Sequence, residues 1–161
     1  MDVITKQVHL SIDGETRIQS ITKTLVGYNA EYDVDIFQLA LSIDGIEYTT
    51  GDSRECMEFA IIELQKQLPE SIQFICCQTC KHGSYCPFGD QENEIFCFKE
   101  YQPKDKGDVI DIFASDNLAI PDGDGDNRSL QGNELLHWCE AYERINDGYY
   151  TYNDWNTHIN K

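Results

Sequence analysis

Cysteine is the residue type in this chain whose number and spacing could do chemistry. Seven cysteines occur among 161 residues, and five of them fall between positions 76 and 97. Cys77 and Cys80 are separated by two residues, so one tight turn can direct both thiolates at a tetrahedral metal ion about 2.3 Å away. Cys97 follows on a later segment that resembles a strand. The sequence therefore predicts a metal site, most simply zinc, that begins at the Cys77-x2-Cys80 pair.

The local spacing leaves the fourth ligand of this site open. The spacing is not the symmetric pattern of a zinc ribbon, and an iron–sulfur cluster does not use it either. A redox CxxC pair usually opens a helix, whereas the two residues between Cys77 and Cys80 lie between predicted strands. Five residues compete for the fourth position: Cys76, His82, Cys86, His137 and Cys139.

No set of residues in the chain forms a recognisable catalytic group. The four histidines, at positions 9, 82, 137 and 158, have no recognisable nucleophile beside them in sequence, and the common hydrolase, metalloprotease and phosphate-binding motifs do not occur. A zinc ion with four thiolate ligands has no open position for water, so it would be structural. We therefore predict no catalytic residues.

An acidic loop at residues 122–126 carries aspartates at alternate positions, as a calcium-binding loop does. However, Asn127 occupies the position that a calcium loop gives to glycine, and Asn133 the position of its bidentate glutamate. An exposed acidic turn is favoured over calcium binding.

Composition restricts the partners and the compartment. The 29 acidic residues outnumber the 12 basic residues and give a formal charge of −17, which repels nucleic-acid phosphates and favours a basic protein partner. No apolar run is long enough for a membrane span or a secretion signal. The odd number of cysteines, two of them adjacent, is typical of a reducing compartment. We expect a cytoplasmic protein that binds neither nucleic acid nor membrane.

Apolar periodicity and turn signals predict an α+β fold in a single domain, residues 1–161. Asp13-Gly14 and Asp44-Gly45 each separate two alternating segments, so residues 1–51 predict a meander of about four antiparallel strands. A capping box formed by Asp52 or Ser53 with Glu55 predicts a covering helix over residues 52–68. Residues 70–145 predict a β-rich, cysteine-bearing half with strands at 71–76, 95–98 and 109–113, in which residues 135–142 fit a short helix or an extended segment equally well. An aromatic tail, residues 146–161, is expected to pack on its own domain.

The middle and end of the chain together resemble an uncharacterised family of small bacterial proteins of unknown function. The likeness covers residues 52–144: a helix, a strand, Cys77-x2-Cys80, Cys97, and the motif Trp138-Cys139-Glu140. The resemblance implies that Cys77, Cys80, Cys97 and Cys139 are the zinc ligands and that Cys86 is not one. The likeness ends at Arg144, before the aromatic tail.

Charge and the predicted site together suggest two functions of different class. The first is a non-catalytic acidic interaction protein, of the immunity or regulatory type, with one structural zinc ion. The second is a metalloenzyme or thiol oxidoreductase that uses the CxxC cysteines. The sequence favours the first, because it offers no catalytic residues beside the cysteines.

Overall fold

The computed structural model describes residues 2–88, 94–115, 131–146 and 150–159. The chain forms two compact units, Met1–Ile75 with His158–Lys161, and Cys76–Thr157. The second unit begins at the first of the clustered cysteines. The single domain expected from sequence stays a prediction. The acidic loop at 122–126 lies outside the described residues.

The first unit is built on an antiparallel sheet of five strands. Its strand order is β4-β3-β2-β1-β5. The sequence prediction of a four-strand antiparallel meander is confirmed, and the fifth strand pairs with β1. The strands are β1 (Val3–Ile12), β2 (Glu15–Asn29), β3 (Val34–Ile43), β4 (Ile46–Thr49) and β5 (Ile72–Phe74).

The two predicted hairpin turns lie where the sequence placed them. Asp13 and Gly14 have φ of 52° and 85°, and Asp44 and Gly45 have φ of 50° and 84°. Two successive positive φ values are the requirement of the tight turn that matches strand twist, and the Asp-Gly dipeptide meets it at little cost. These turns fix the register of the β1–β2 and β3–β4 pairs.

One helix, α1 (Met57–Gln67), contributes buried side chains to this unit. Gln65 joins it to β5: its Nε2 donates to the carbonyl oxygen of Ile72, and its Oε1 accepts the N–H of Phe74, both at 2.9 Å. The predicted capping box was wrong, because the backbone of Arg54 instead exchanges two hydrogen bonds with Phe37 of β3. The helix consequently begins after Cys56, whose side chain makes no capping hydrogen bond.

The second unit contains a three-stranded sheet and two helices. Its strand order is β6-β7-β8, all antiparallel. The elements are a 3-10 turn (Cys77–Thr79), β6 (Gly83–Ser84), β7 (Glu94–Cys97), α2 (Lys106–Ser115), β8 (Gln131–Glu134) and α3 (Trp155–Ile159). The last two residues of α3 belong to the first unit. None of the helices in the described ranges is long and apolar enough to cross a membrane.

The predicted strand at residues 109–113 was wrong, because this segment is the core of α2. Asp105 starts the helix by accepting the N–H of Asp108 at 2.9 Å, and Asp108 accepts the N–H of Lys104 at 2.8 Å. Val109 and Phe113 are one helical turn apart and both buried. Residues 135–142, for which the sequence fits a short helix or an extended segment, form no helix and have turns at 135–136 and 140–141.

An aromatic cluster forms the core of the second unit. It consists of Phe96, Phe98, Val109 and Phe113. Tyr150 and Tyr152 of the C-terminal tail pack against it, and Trp155 is buried. The described part of the tail therefore packs on the protein's own core, as expected.

Candidate metal centre

The Cys77-x2-Cys80 pair lies on a 3-10 turn. The N–H of Cys80 donates to the carbonyl oxygen of Cys77 at 3.3 Å, which closes the turn. The N–H of His82 donates to Sγ of Cys80 at 3.4 Å. A backbone N–H that points at a cysteine sulfur stabilises the thiolate form, which is the form that binds metal.

Gly83, the first residue of β6, allows the turn to lie close to the sheet. A Cβ atom at this position would lie 2.1 Å from the carbonyl oxygen of Cys77. Gly83 pairs with Cys97 in the β6–β7 ladder. The absence of a side chain therefore brings the backbone that carries Cys77 next to the strand that carries Cys97.

Cys97 ends the central strand of the small sheet. It pairs with Gly83 on one side and with Gln131 on the other. A residue at the end of a doubly paired strand has little backbone freedom, so the position of its sulfur is set mainly by its side-chain torsion.

Cys139 reaches the same region from the segment that follows β8. Backbone hydrogen bonds attach this segment to the 3-10 turn on both sides of Cys139. The N–H of Cys77 donates to His137 at 2.8 Å, and the N–H of Lys81 donates to Glu143 at 2.8 Å. The hydroxyl groups of Thr79 and Tyr142 add a hydrogen bond of 2.9 Å.

Four cysteines from these three segments line a single pocket of about 90 Å³. They are the four that the resemblance implied: Cys77, Cys80, Cys97 and Cys139. Lys99, Glu100 and Asn133 are among the other residues that line it. Among the described residues, no group of three or more His, Cys, Asp or Glu side chains is arranged so that it could hold a metal ion. The pocket thus brings the four thiols together without presenting a finished coordination shell.

The other candidates for the fourth ligand separate into two groups. His82 and His137 line the pocket, although Nε2 of His82 lies 2.9 Å from Oε2 of Glu143. Cys76 and Cys86 are not among the residues that line it. Cys76 is 1% exposed, and Cys86 packs against the aromatic cluster.

Burial makes the CxxC thiols hard to ionise. It raises the pKa of Cys77 far above the ordinary value, and the thiols of Cys76, Cys80, Cys139 and Cys97 raise it further. The pKa of Cys80 is also raised by burial, against a lowering by the N–H groups of Glu143 and His82. A thiol nucleophile requires the opposite shift, a lowered pKa.

Asn133 lines the pocket, although the sequence did not predict it there. Its Nδ2 lies 3.9 Å from Sγ of Cys77, close enough for a weak hydrogen bond to sulfur. In the sequence Asn133 stood out only as a poor match to a calcium loop. A lone asparagine 36 residues after Cys97 carries no signal of proximity, because only the β7–β8 pairing brings it to the pocket.

No protein-family model, curated protein or solved structure was found to match this chain. The resemblance to an uncharacterised bacterial family stays a prediction.

Proposed function

We propose that Cys77, Cys80, Cys97 and Cys139 bind one structural zinc ion in a non-catalytic acidic protein, of the immunity or regulatory type, that acts by binding a basic partner. The observation that carries the metal proposal is the common pocket of four cysteines from three separate segments of the chain.

The chemistry of the donors fits zinc. Four thiolates make up one of the common structural zinc sets, with sulfur about 2.3 Å from the metal. Backbone hydrogen bonds already hold the 3-10 turn to the segment that carries Cys139. We therefore propose that zinc binding rotates the cysteine side chains and leaves the backbone of these segments in place.

Zinc would supply a cross-link in this protein. The residues themselves place the four cysteines around one pocket, bury Cys80, and direct the N–H of His82 at its sulfur. A positive ion also removes the repulsion among neighbouring thiolates that opposes their ionisation. The alternative of a thiol oxidoreductase requires an accessible thiol, whereas Cys80 is buried.

The acidic composition supports the second part of the proposal. A charge of −17 raises the association rate of a basic partner at low ionic strength and repels nucleic acid. All seven cysteines lie in described residues and none is in a disulfide, which is consistent with our proposal of a cytoplasmic, reducing location.

A thiol titration of the native protein, combined with elemental analysis, tests the metal proposal. We expect one equivalent of zinc, and slow reaction of Cys77 and Cys80 until a chelator is added. Fast reaction of both residues without chelator, in protein that contains no metal, would contradict the proposal and favour thiol chemistry.

A further inference from the structure

Strand β1 is paired along its whole length on one side and only near its end on the other. β2 pairs with residues 3–12, whereas β5 pairs with residues 10–12 alone. The pairing on the β5 side ends where the N–H of Ile75 donates to the carbonyl oxygen of His9 at 2.9 Å. Within the described ranges no strand lies beside residues 3–8 on that side. We call these residues the open edge of β1.

The direction of the backbone groups follows from the bonds on that side. In an antiparallel strand, alternate residues direct both their N–H and C=O to the same neighbour. The carbonyl oxygen of His9 accepts the N–H of Ile75, and the N–H of Asp13 donates to the carbonyl oxygen of Ser71. The backbone N–H and C=O groups of the odd-numbered residues therefore point away from β2. The N–H and C=O groups of Val3, Thr5 and Gln7 consequently lie in the plane of the sheet and point outward from its open edge.

The open edge is accessible and carries few of the features that usually protect an edge strand. Val3 is 58% exposed and Ile4 is 41% exposed, and the side chains of Thr5 and Gln7 are exposed as well. Edge strands are normally protected by charges, prolines or bulges. Residues 3–8 contain no proline and a single charged residue, Lys6.

We propose that the open edge of β1 binds an extended segment of a partner protein, rich in lysine or arginine, which adds a sixth strand to the sheet. This inference rests on the proposed interaction role and is independent of zinc. Main-chain hydrogen bonds to Val3, Thr5 and Gln7 give the affinity, and alternate side chains of the segment contact Val3 on one face and Ile4 on the other. Six residues span about 20 Å, which accommodates a segment of similar length.

Charge decides between a basic segment and a second copy of the chain. A second copy carries the same charge of −17 and is repelled on approach, whereas a basic segment is attracted. At the edge itself, exposed Asp2 adds a carboxylate at the start, whereas Lys6, the one charged residue of residues 3–8, is basic. The attraction for a basic segment therefore comes from the charge of the whole chain rather than from the edge.

The probe for this site is a seven-residue peptide of alternating lysine and valine, titrated into the full chain at physiological ionic strength. We expect the amide hydrogens of Val3, Thr5 and Gln7 to become protected from exchange when the peptide binds. Thr5→Pro removes an outward N–H and should weaken binding at least tenfold. Thr5→Val keeps the N–H and should bind like the wild type. A peptide with glutamate in place of lysine should bind at least tenfold more weakly.

Several results would overturn the inference. These are no measurable binding of the lysine peptide, protection at other amides, equal affinity for Thr5→Pro and wild type, or equal affinity for the two peptides. Protection that appears without peptide, together with a doubled mass, would assign the edge to a second copy instead. If Thr5→Pro does not fold, Val3→Pro, nearer the end of the strand, takes its place. A partner captured from the source cell that binds wild type and Thr5→Pro equally would leave the interaction role standing and remove only the edge assignment.

Discussion

The N–H of Cys77 donates to the carbonyl oxygen of His137 at 2.8 Å, and this bond joins two segments, far apart in sequence, that each carry a cysteine of the pocket. It attaches the start of the CxxC turn to the residue two positions before Cys139. The hydrogen bond from Lys81 to Glu143 attaches the same segment beyond Cys139. Cys139 is thereby fixed at the pocket by its backbone, whether or not a metal joins its sulfur to the others.

Two of the candidates for the fourth ligand, Cys139 and Cys86, predict opposite results for two serine variants. We expect Cys139→Ser to lose zinc and to become much less stable, because structural zinc contributes on the order of 10 kcal/mol of apparent free energy in small peptides. A unit with its own aromatic core should lose less than that. Elemental analysis and chemical denaturation of the purified variant measure both effects.

Cys86→Ser is the matched control. Its thiol packs against the aromatic cluster and does not line the pocket, so we expect one equivalent of zinc and a stability loss of about 1 kcal/mol from burying a hydroxyl. Zinc retained in Cys139→Ser but lost in Cys86→Ser would show that the fourth ligand is Cys86.

Gly83→Ala should destabilise the second unit although it changes none of the cysteines. The new Cβ would lie 2.1 Å from the carbonyl oxygen of Cys77, a backbone atom that cannot rotate away. We expect a loss of about 3 kcal/mol or more in the free energy of unfolding, at the upper end of overpacking effects, and weaker zinc binding.

Gly27→Ala provides the comparison for that variant. A Cβ on Gly27 would lie 3.6 Å from Ile36, an ordinary contact distance, so its effect should stay within about 1 kcal/mol. Equal unfolding midpoints for the two alanine variants in chemical denaturation would contradict the close approach at Gly83.

The predictable part of the fold is the part that local signals specify. Asp13-Gly14 and Asp44-Gly45 adopt positive φ values at little cost and each lies between two alternating segments, so the sequence predicted both hairpins. Residues 52–55 have an equally good local signal for a helix start, but Arg54 pairs with Phe37 of β3 instead. Tertiary hydrogen bonds outweighed a cap worth about 1 kcal/mol.

The segment at 109–113 shows how periodicity fails in short windows. Val109 and Phe113 are buried and Asp111 between them is exposed, which matches both a strand and a helix. The decisive signal was the cap formed by Asp105 and Asp108, which lies outside that window. Of the residues that line the pocket, spacing alone predicted Cys77, Cys80 and Cys97, and the resemblance implied Cys139. Asn133 depends on the β7–β8 pairing, which spacing does not encode.

The packing of this segment has its own test in Phe113→Ala. Phe113 is 2% exposed and its ring packs edge-on to Phe96 with centroids 5.0 Å apart. Truncation of a buried phenylalanine costs about 3–5 kcal/mol. Asp111→Ala, on the exposed side of the helix, should change stability by no more than about 0.5 kcal/mol. Similar losses for the two variants in thermal or chemical unfolding would argue against this packing.

The ion pair between Arg54 and Glu63 predicts a pH dependence of the first unit that is independent of the cysteines. The hydrogen bond from Arg54 lowers the pKa of Glu63 below its ordinary value of 4.5, and the N–H of Gly51 lowers it further, against a rise from partial burial. The unfolded chain therefore binds the proton more tightly than the folded one. The contribution of Glu63 to stability is complete above pH 4.5 and is lost as the pH falls through the lowered folded-state pKa.

Glu63→Gln removes this titration, so the stability difference between wild type and variant should be largest near pH 7 and should shrink below pH 4.5. Chemical denaturation of both proteins between pH 7 and about pH 3 measures it. Glu70→Gln is the control, because Glu70 is exposed and lies just beyond the end of α1, and its difference from wild type should stay small across the range. A constant difference between wild type and Glu63→Gln would mean that Glu63 acts through packing or a neutral hydrogen bond rather than through its charge.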